Sequence, residues 1–336
     1  MGVMSRETAG ALIEAAFAAA DEHGAVSFAF QGGEPTVAGL DFFRDFVAMV
    51  SAFRPLDRQV SYALQTNGMA LNEEWTHFLK ENQFLVGLSV DGYRELHDHY
   101  RVDTKGEGTY GRVAKALALL QKFEVETNLL CVVTGQCAKH PQKTYASMKK
   151  LGVRYLQFIP CLDPLEEQRG RAVYSLTPKL YGDFLCGLFD QWYRDWAEGH
   201  YTSVRLFDDY VHLAMGEPAS TCAASGGCGS YFVVEADGGV YPCDFYVLDE
   251  WKLGEIKHCT VEQALNSPTS QMFLAQGHKR PAECAACAYR LLCRGGCKRD
   301  WDASGSNRFC AAYKHFFAYA LPRLQTAARF LAQQNR

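Results

Sequence analysis

Short apolar runs alternate with helical patterns through the first half of the chain. The apolar runs cover residues 26–30, 60–64, 85–89, 127–133 and 155–159. Between them, apolar residues recur at helical spacing over about 38–53, 72–82, 109–123 and 141–151. Runs of this type are buried in parallel sheets, and repeated strand–helix units place the helices outside the sheet. The pattern therefore predicts an α/β fold, either a barrel or a doubly wound sheet.

Polar loops follow four of the predicted strands. They are QGGEP at 31–35, QTNG at 65–68, SVDG at 89–92 and PCLDP at 160–164. We expect them at one rim, because the chemistry of parallel α/β folds lies at the carboxyl ends of the strands. Gly32 and Gly33 let backbone groups approach a ligand, and Glu34 can hold an ammonium group or brace the loop. Taken singly, QGGEP and the Asn67-Gly68 pair are each more often ordinary turns.

Two later stretches bear on the same region. Asp237-Gly238-Gly239 is typical of a hairpin turn, and that hairpin would return Cys243 and Asp244 to the site. Aromatic residues recur at helical spacing between 184 and 210. Such spacing favours packing in a core over a peptide-binding groove.

Composition narrows the classes of function. A chain of 336 residues with 48% hydrophobic residues can bury a large core and predicts two domains. The net charge of −4 and the pI near 6.2 argue against nucleic acid and membrane surfaces as partners. No secretory signal is recognisable, and no apolar run reaches the ~18 residues of a membrane span. The prediction is a cytoplasmic protein.

Cysteines supply the most specific chemistry in the sequence. Eight of the thirteen are candidate metal ligands: Cys222, Cys228, Cys243, Cys284, Cys287, Cys293, Cys297 and Cys310. Eight thiolates suit two [4Fe–4S] clusters with four ligands each. Structural zinc remains an alternative because C-x2-C pairs also bind zinc, whereas disulfides would need an oxidising compartment. Gly295 and Gly296 favour clusters, since glycines let backbone amides approach the cluster sulfurs.

The chain resembles the radical S-adenosylmethionine (SAM) enzymes that carry a SPASM domain, and within them the anaerobic sulfatase-maturing enzymes. The matching stretches are SFAFQGGEPTVAGL, LQTNGM, FLVGLSVDG, LLCVVTG, YLQFIPCLDPL, FVVEADGGVYPCDFYVLDEWKLG and the final cysteine run. The resemblance implies a partial (β/α)6 barrel followed by a SPASM domain with two auxiliary [4Fe–4S] clusters. We place the barrel at 1–165, a helical connection at 166–220 and the SPASM domain with its C-terminal helix at 221–336.

The same resemblance assigns ligands. The first auxiliary cluster takes Cys222, Cys228, Cys243 and Cys297. The second takes Cys284, Cys287, Cys293 and Cys310. The residues implied for SAM are Gly32, Gly33, Glu34, Asn67, Ser89, Arg101 and Leu162.

By resemblance the reaction is the conversion of a cysteine or serine of a sulfatase to formylglycine, with SAM as the source of a hydrogen-abstracting radical. Asp244 matches the family's general base, which takes the thiol or hydroxyl proton of the target residue. The alternative for Asp244 is a turn cap after Cys243. The implied partners are an unfolded sulfatase polypeptide and a reduced ferredoxin or flavodoxin, without nucleic acid or membrane.

One family feature is not found in this sequence. The CxxxCxxC loop that binds the SAM-cleaving cluster should follow the first barrel strand, whereas the sequence opens at the first helix. We expect a strand and its loop to be missing from the sequence as given. A third cluster and SAM cleavage are then expected only when that segment is present. The spare cysteines show no such spacing and are predicted to act as small apolar residues; they are Cys131, Cys137, Cys161, Cys186 and Cys259.

Two other functions stay open on the sequence. One is a different radical SAM/SPASM peptide-modifying enzyme, such as a thioether-forming maturase, which generally carries a peptide-recognition domain. The other is a non-catalytic iron–sulfur protein that binds peptides, as the absent loop would imply.

Overall fold

The computed structural model describes residues 2–21, 24–54, 58–165 and 169–334. The strands of this part are β1 (Ala25–Phe30), β2 (Gln59–Thr66), β3 (Phe84–Ser89), β4 (Thr127–Val133), β5 (Tyr155–Pro160), β6 (Ser203–Val204), β7 (Val233–Val234), β8 (Gly239–Tyr241) and β9 (Gly254–Glu255). The first helices are α1 (Arg6–Ala19), α2 (Leu40–Phe53), α3 (Glu73–Glu81), α4 (Arg94–Tyr100), α5 (Tyr110–Lys122), α6 (Pro141–Lys149) and α7 (Pro178–Ala197). The others are α8 (Arg205–Met215), α9 (Cys222–Ser225), α10 (Val261–Leu265), α11 (Pro268–His278), α12 (Ala282–Ala285), α13 (Arg290–Cys293) and α14 (Cys310–Gln334).

Six strands form one parallel sheet in the order β1-β2-β3-β4-β5-β6, which is also their order along the chain. In register, Ala25 of β1 lies opposite Gln59 of β2, and Leu129 of β4 opposite Leu156 of β5. A doubly wound sheet reverses its strand order at a switch point, whereas this sheet does not. The predicted α/β fold is confirmed, in its barrel-type form.

Local signals account for where several helices begin. Ser5 accepts a hydrogen bond from the Thr8 backbone amide at the start of α1, and Asn72 accepts one from the Trp75 amide at the start of α3. Such caps satisfy amides that have no partner within the helix, each worth about 1 kcal/mol. The five predicted strands and four predicted helices all form, with every end within two residues of the prediction. Residues 35–38 form a separate 3₁₀ turn before α2.

The chain divides into two compact units that interleave along the sequence. The first comprises Met1–Gly87, Ala116–Glu126 and Cys228–His278, and the second Leu88–Lys115, Thr127–Gly227 and Lys279–Arg336. The sequence-based boundaries at 165 and 220 follow the family's domain order, and they remain a prediction.

The first unit is built on two apolar clusters. Helix α1 packs against α2 and β1 through Ile13, Phe17, Phe28 and Phe46. A second cluster around Val240 joins α1 to the antiparallel sheet β7-β8-β9 and to α10. This sheet contains the predicted hairpin, in which Gly238 has φ +94° and the Gly239 amide donates to Asp237 Oδ1 at 2.8 Å.

The second unit contains the aromatic helices. Helix α14 packs against α7 and α8, where the rings of Phe189, Phe207 and Phe316 meet with centroids 5.2 to 5.7 Å apart. Trp192 and Tyr210 are buried with them. The aromatic stretch is therefore core, as its helical spacing predicted.

Within the described residues, no helix is both long enough and apolar enough for a membrane span.

Candidate functional site

The loop after β1 is organised by the Glu34 carboxylate. Its Oε1 accepts hydrogen bonds from Thr36 Oγ1 at 2.6 Å and Thr66 Oγ1 at 2.7 Å, and its Oε2 accepts one from the Asn67 amide at 2.7 Å. Glu34 thus braces the loops after β1 and β2. Gly32 and Gly33 are exposed in front of it at φ +87° and +53°, with open space around both. Their backbone is therefore open to a ligand, as close approach requires.

In the loop after β3, the buried carboxylate of Asp91 orients the side chain of Arg101. Asp91 accepts hydrogen bonds from Arg101 Nε at 2.6 Å and from the Val132 amide at 2.9 Å. A bidentate arginine–carboxylate pair of this kind fixes the plane of the guanidinium. Ser89 ends β3 and is half-buried.

His97 supports the same loop as a neutral imidazole. Its Nδ1 accepts from the Asp91 amide at 3.2 Å, so the ring proton is on Nε2, which faces Thr109 Oγ1 at 3.0 Å. Thr109 Oγ1 in turn donates to the Arg101 carbonyl at 2.9 Å. Burial lowers the pKa of His97, with the Asp91 charge opposing that effect.

The loop after β5 carries Leu162 and is held by Asp163, whose side chain is 3% exposed. Oδ1 of Asp163 accepts from Ser175 Oγ at 2.6 Å, and Oδ2 accepts from the Gly170 amide at 3.1 Å and from Arg308. Burial opposes ionisation, but the hydrogen bonds from Ser175 and Arg308 outweigh it and lower the pKa of Asp163. Arg299 adds a 2.5 Å hydrogen bond to the Asp163 carbonyl.

The four cysteines predicted for the second cluster lie together in the second unit. Burial, together with negative charge on Cys310, Cys287 and Cys284, raises the pKa of Cys293 to about 11. Burial and the charges of Cys310 and Cys287 likewise raise the pKa of Cys284. These mutual effects show that the four thiols lie within electrostatic range of one another. Four soft sulfur donors are the ligand set that iron–sulfur clusters use, so these residues fit such a group.

The four cysteines predicted for the first cluster are distributed over both units. Cys222 begins α9, and Cys297 Sγ accepts a hydrogen bond from the Arg299 amide at 3.4 Å, both within the second unit. Arg280 binds the carbonyls of Gly226 and Arg294, which joins the loops that follow Cys222 and Cys293.

The other two members, Cys228 and Cys243, lie in the first unit. A Cβ on Gly277 would stand 2.7 Å from Cys228 Sγ, so this helical glycine makes room for the thiol. Among the described residues, no three His, Cys, Asp or Glu side chains meet at the distances of a single-ion site.

Asp244 follows Cys243 directly and opens a 3₁₀ turn after β8. Its Oδ1 accepts a hydrogen bond from Tyr231 Oη at 2.5 Å and lies 3.4 Å from Cys243 Sγ. Burial, followed by the hydrogen bond to Asp244, raises the pKa of Tyr231 well above its ordinary value. The sequence did not single out the side chains of Tyr231, Asp163 or His97, because no local signal identifies their partners, which lie 6 to 145 residues away.

The spare cysteines differ in burial. Cys131 and Cys137 are fully buried with their sulfurs 4.0 Å apart, as expected of small apolar residues. Cys161, Cys186 and Cys259 are partly exposed, and burial raises the pKa of Cys161 and of Cys186 to about 11.

Two family models match the chain. The radical SAM superfamily model matches residues 4–148, and the SPASM model, described as an iron-sulfur cluster-binding domain, matches residues 226–288.

Curated relatives extend the likeness to almost the whole chain. The cysteine-type anaerobic sulfatase-maturating enzyme of Clostridium novyi is 40% identical over 99% of this chain and 90% of its own length. That of Clostridium perfringens is 42% identical over 97% and 89%. The serine-type enzyme of Klebsiella pneumoniae is 32% identical over 91% and 76%.

Comparison with solved structures gives the same result as the comparison with curated relatives. The structure described as native anSMEcpe with bound AdoMet and Cp18Cys peptide has a TM-score of 0.95 and 42% identity, over 98% of this chain and 92% of that one. Streptococcus suis SuiB bound to S-adenosylmethionine has a TM-score of 0.60 at 14% identity, which shows a shared fold alone.

Proposed function

Because the chain belongs to the anaerobic sulfatase-maturating enzymes, a family of radical SAM enzymes with a SPASM domain, we propose that it converts a residue of a sulfatase polypeptide to Cα-formylglycine. The observation that carries this proposal is the 0.95 TM-score and 42% identity, over 98% of the chain, to a structure with bound AdoMet and peptide. The thioether alternative rests on the shared cysteine run and the binding-protein alternative on the absent CxxxCxxC loop, whereas the maturases match almost the whole chain.

We further propose that the residue converted is a cysteine. Identity to the two cysteine-type clostridial enzymes is 40% and 42%, whereas identity to the three serine-type enzymes is 30% to 33%. The polypeptide must be unfolded around the target residue, so that its side chain can enter the site.

SAM and iron–sulfur clusters are the cofactors of this family, and together they supply the hydrogen-abstracting radical when bound. The chain's own residues hold SAM by its polar groups in this proposal. The exposed backbone of Gly32 and Gly33, kept in place by Glu34, offers amides and carbonyls to the ligand. Arg101, oriented by Asp91, offers a fixed cation.

The other predicted contacts complete the SAM site. The backbone amide of Asn67 donates to the Glu34 carboxylate, which fixes the position of Asn67. Ser89 ends β3, and Leu162 would add an apolar contact from the loop that Asp163 stabilises. These assignments are supported by the family motifs and by the position of each residue on or after a strand end.

The auxiliary clusters take the ligand sets of the family. We propose that Cys284, Cys287, Cys293 and Cys310 bind one cluster and that Cys222, Cys228, Cys243 and Cys297 bind the other. The electrostatic effects among the first four thiols support the first set, and the family's interleaved pattern supports both.

Asp244 is proposed as the general base. Its carboxylate takes the thiol proton of the target cysteine, while the Cβ of that cysteine loses a hydrogen atom to the radical. Formation of the thioaldehyde removes a further electron, and hydrolysis releases the sulfur as sulfide. The cysteines proposed as auxiliary-cluster ligands would hold a group able to accept that electron, and the proposed electron donor to the enzyme is a reduced ferredoxin or flavodoxin.

An anaerobic assay tests the proposal. The protein, expressed with an N-terminal segment that supplies the expected CxxxCxxC loop and reconstituted with iron and sulfide, is incubated with reductant, SAM and a peptide containing Cys-x-Pro-x-Arg. Mass spectrometry then measures 5′-deoxyadenosine and peptide aldehyde. We expect aldehyde from this peptide, less from its serine counterpart, and none after Asp244→Asn. Binding of the peptide without any aldehyde would refute the maturase function and favour a binding protein.

A further inference from the structure

The carboxylate of Asp244 is engaged on one oxygen only. Oδ1 accepts the hydrogen bond from Tyr231 Oη at 2.5 Å and lies 3.4 Å from Cys243 Sγ. Oδ2 accepts no hydrogen bond from any residue that the structure describes. A carboxylate held through one oxygen presents the other in a fixed direction, as a base requires when it must meet a single proton.

Tyr231 is 41% exposed, its hydroxyl also lies 3.5 Å from Cys243 Sγ, and the hairpin positions it. It precedes β7, and Asp244 follows β8, so the antiparallel pairing of Val233 with Tyr241 brings the two residues to the same end of the hairpin. The turn that carries Asp244 is anchored by Tyr246, whose ring packs against Phe273 with centroids 5.1 Å apart. Neither partner can move far without breaking the hairpin or this aromatic contact.

We propose that Tyr231 is a positioning residue for the reaction, whose hydroxyl binds Oδ1 of Asp244 and thereby directs Oδ2 toward the substrate thiol. This inference rests on the proposed function, because it takes Asp244 as the base. The substrate thiol, Asp244 and Tyr231 would then be joined by hydrogen bonds in that order, with Tyr231 orienting the base.

The sharpest test removes only the hydroxyl. Tyr231→Phe keeps the ring, and we expect kcat for aldehyde formation to fall about tenfold or more, the effect of losing a hydrogen bond to a charged group. The KM values for peptide and SAM should stay within about twofold, because the interaction is made by the base and not by either ligand. The ratio of 5′-deoxyadenosine to aldehyde should rise, since SAM cleavage does not need Asp244.

Three measurements separate positioning from a structural role. Iron content, thermal unfolding and the peptide Kd without SAM should match those of the unsubstituted protein. Genetic incorporation of a fluorinated tyrosine at position 231 keeps the donor and should restore most of kcat. Tyr319→Phe, which removes a 2.8 Å tyrosine–carboxylate hydrogen bond to Asp190, is the matched control and should leave kcat unchanged.

Several outcomes would overturn the proposal. An unchanged kcat would show that Asp244 is oriented without Tyr231. A peptide KM that rises as kcat/KM falls would make Tyr231 a substrate contact, and lost iron would make it a support for Cys243. Aldehyde formation by Asp244→Asn at the unsubstituted rate would instead refute the base, and absence of aldehyde from the unsubstituted protein would refute the proposed function.

Discussion

Glu34 and Asp163 both follow strands of the parallel sheet, but their carboxylates are stabilised in different ways. Glu34 is partly exposed and accepts hydrogen bonds from neutral donors on residues 36, 66 and 67. Asp163 is 3% exposed and binds Arg308 in addition to two neutral donors. A charge that keeps some water can be held by neutral groups alone, whereas a buried charge needs a counter-charge.

The difference also lies in the sequence separation of the partners. The donors to Glu34 lie within 33 residues of it, in loops that follow adjacent strands. Arg308 lies 145 residues from Asp163, and the Arg299 bond to its carbonyl spans 136. The loop after β1 therefore depends on several neutral hydrogen bonds to residues close in sequence. The loop after β5 depends on a buried ion pair with Arg308, which a distant part of the second unit supplies.

The largest expected effect comes from Asp163→Asn. It keeps the shape of the side chain but leaves the buried Arg308 with only the longer 3.9 Å contact to Asp300, which costs up to about 3–5 kcal/mol of unfolding free energy. Urea denaturation followed by circular dichroism measures it. Asp183→Asn removes an exposed i,i+4 pair with Lys179 and serves as the control, with an expected change within about 0.5 kcal/mol. Equal losses in the two variants would contradict the importance of the ion pair.

Glu34→Gln should cost less, about 1–3 kcal/mol. The amide nitrogen of glutamine must face one of the donors that Glu34 accepts, so at least one donor loses its partner while the others keep theirs. The same denaturation measurement applies, with Glu74→Gln, which removes an exposed pair with Arg44, as control. A loss as large as that of Asp163→Asn would mean that neutral donors bind as strongly as the buried ion pair.

Ser175→Ala compares a neutral partner of Asp163 with its charged partner Arg308. It removes a neutral donor from Asp163 and leaves Arg308 and the Gly170 amide in place, so we expect a loss of about 1–2 kcal/mol. A cost well above that of Glu34→Gln would show that the hydroxyl, more than the arginine, keeps Asp163 ionised.

The smallest expected effect is the pH dependence of the β3 loop. Burial lowers the pKa of His97 in the folded protein, so the unfolded chain binds a proton more readily. The contribution of His97 to stability is therefore complete above the unfolded pKa of about 6.5 and is lost as the pH falls below it. Unfolding free energies measured between about pH 7 and 5 should fall more steeply for the unsubstituted protein than for His97→Gln. The exposed His99→Gln should leave the slope unchanged.

Much of the fold could be predicted from the sequence because its signals are local. The five apolar runs and the turn at Asp237-Gly238-Gly239 form elements close to their predicted bounds. Strand β6 was missed, since two residues carry no periodicity. Periodicity alone left the order of strands open between two folds, because it shows which face of an element is buried and not which neighbour covers it; the family resemblance supplied the barrel.

The residues of the candidate site also fall into those that a local sequence signal marks and those that none marks. Glycine turns, strand-end polar residues and cysteine spacing are properties of short segments, so the sequence by itself determined the loop with Glu34, the hairpin before Asp244 and the family of the chain. The pairing of Asp163 with Arg308, 145 residues away, has no such local signal and was decided only by the tertiary structure. The contact of Tyr231 with Asp244 depends on the register of the hairpin that carries them. A side chain acquires a distant partner through the packing of whole elements, and no local pattern of residues encodes that packing.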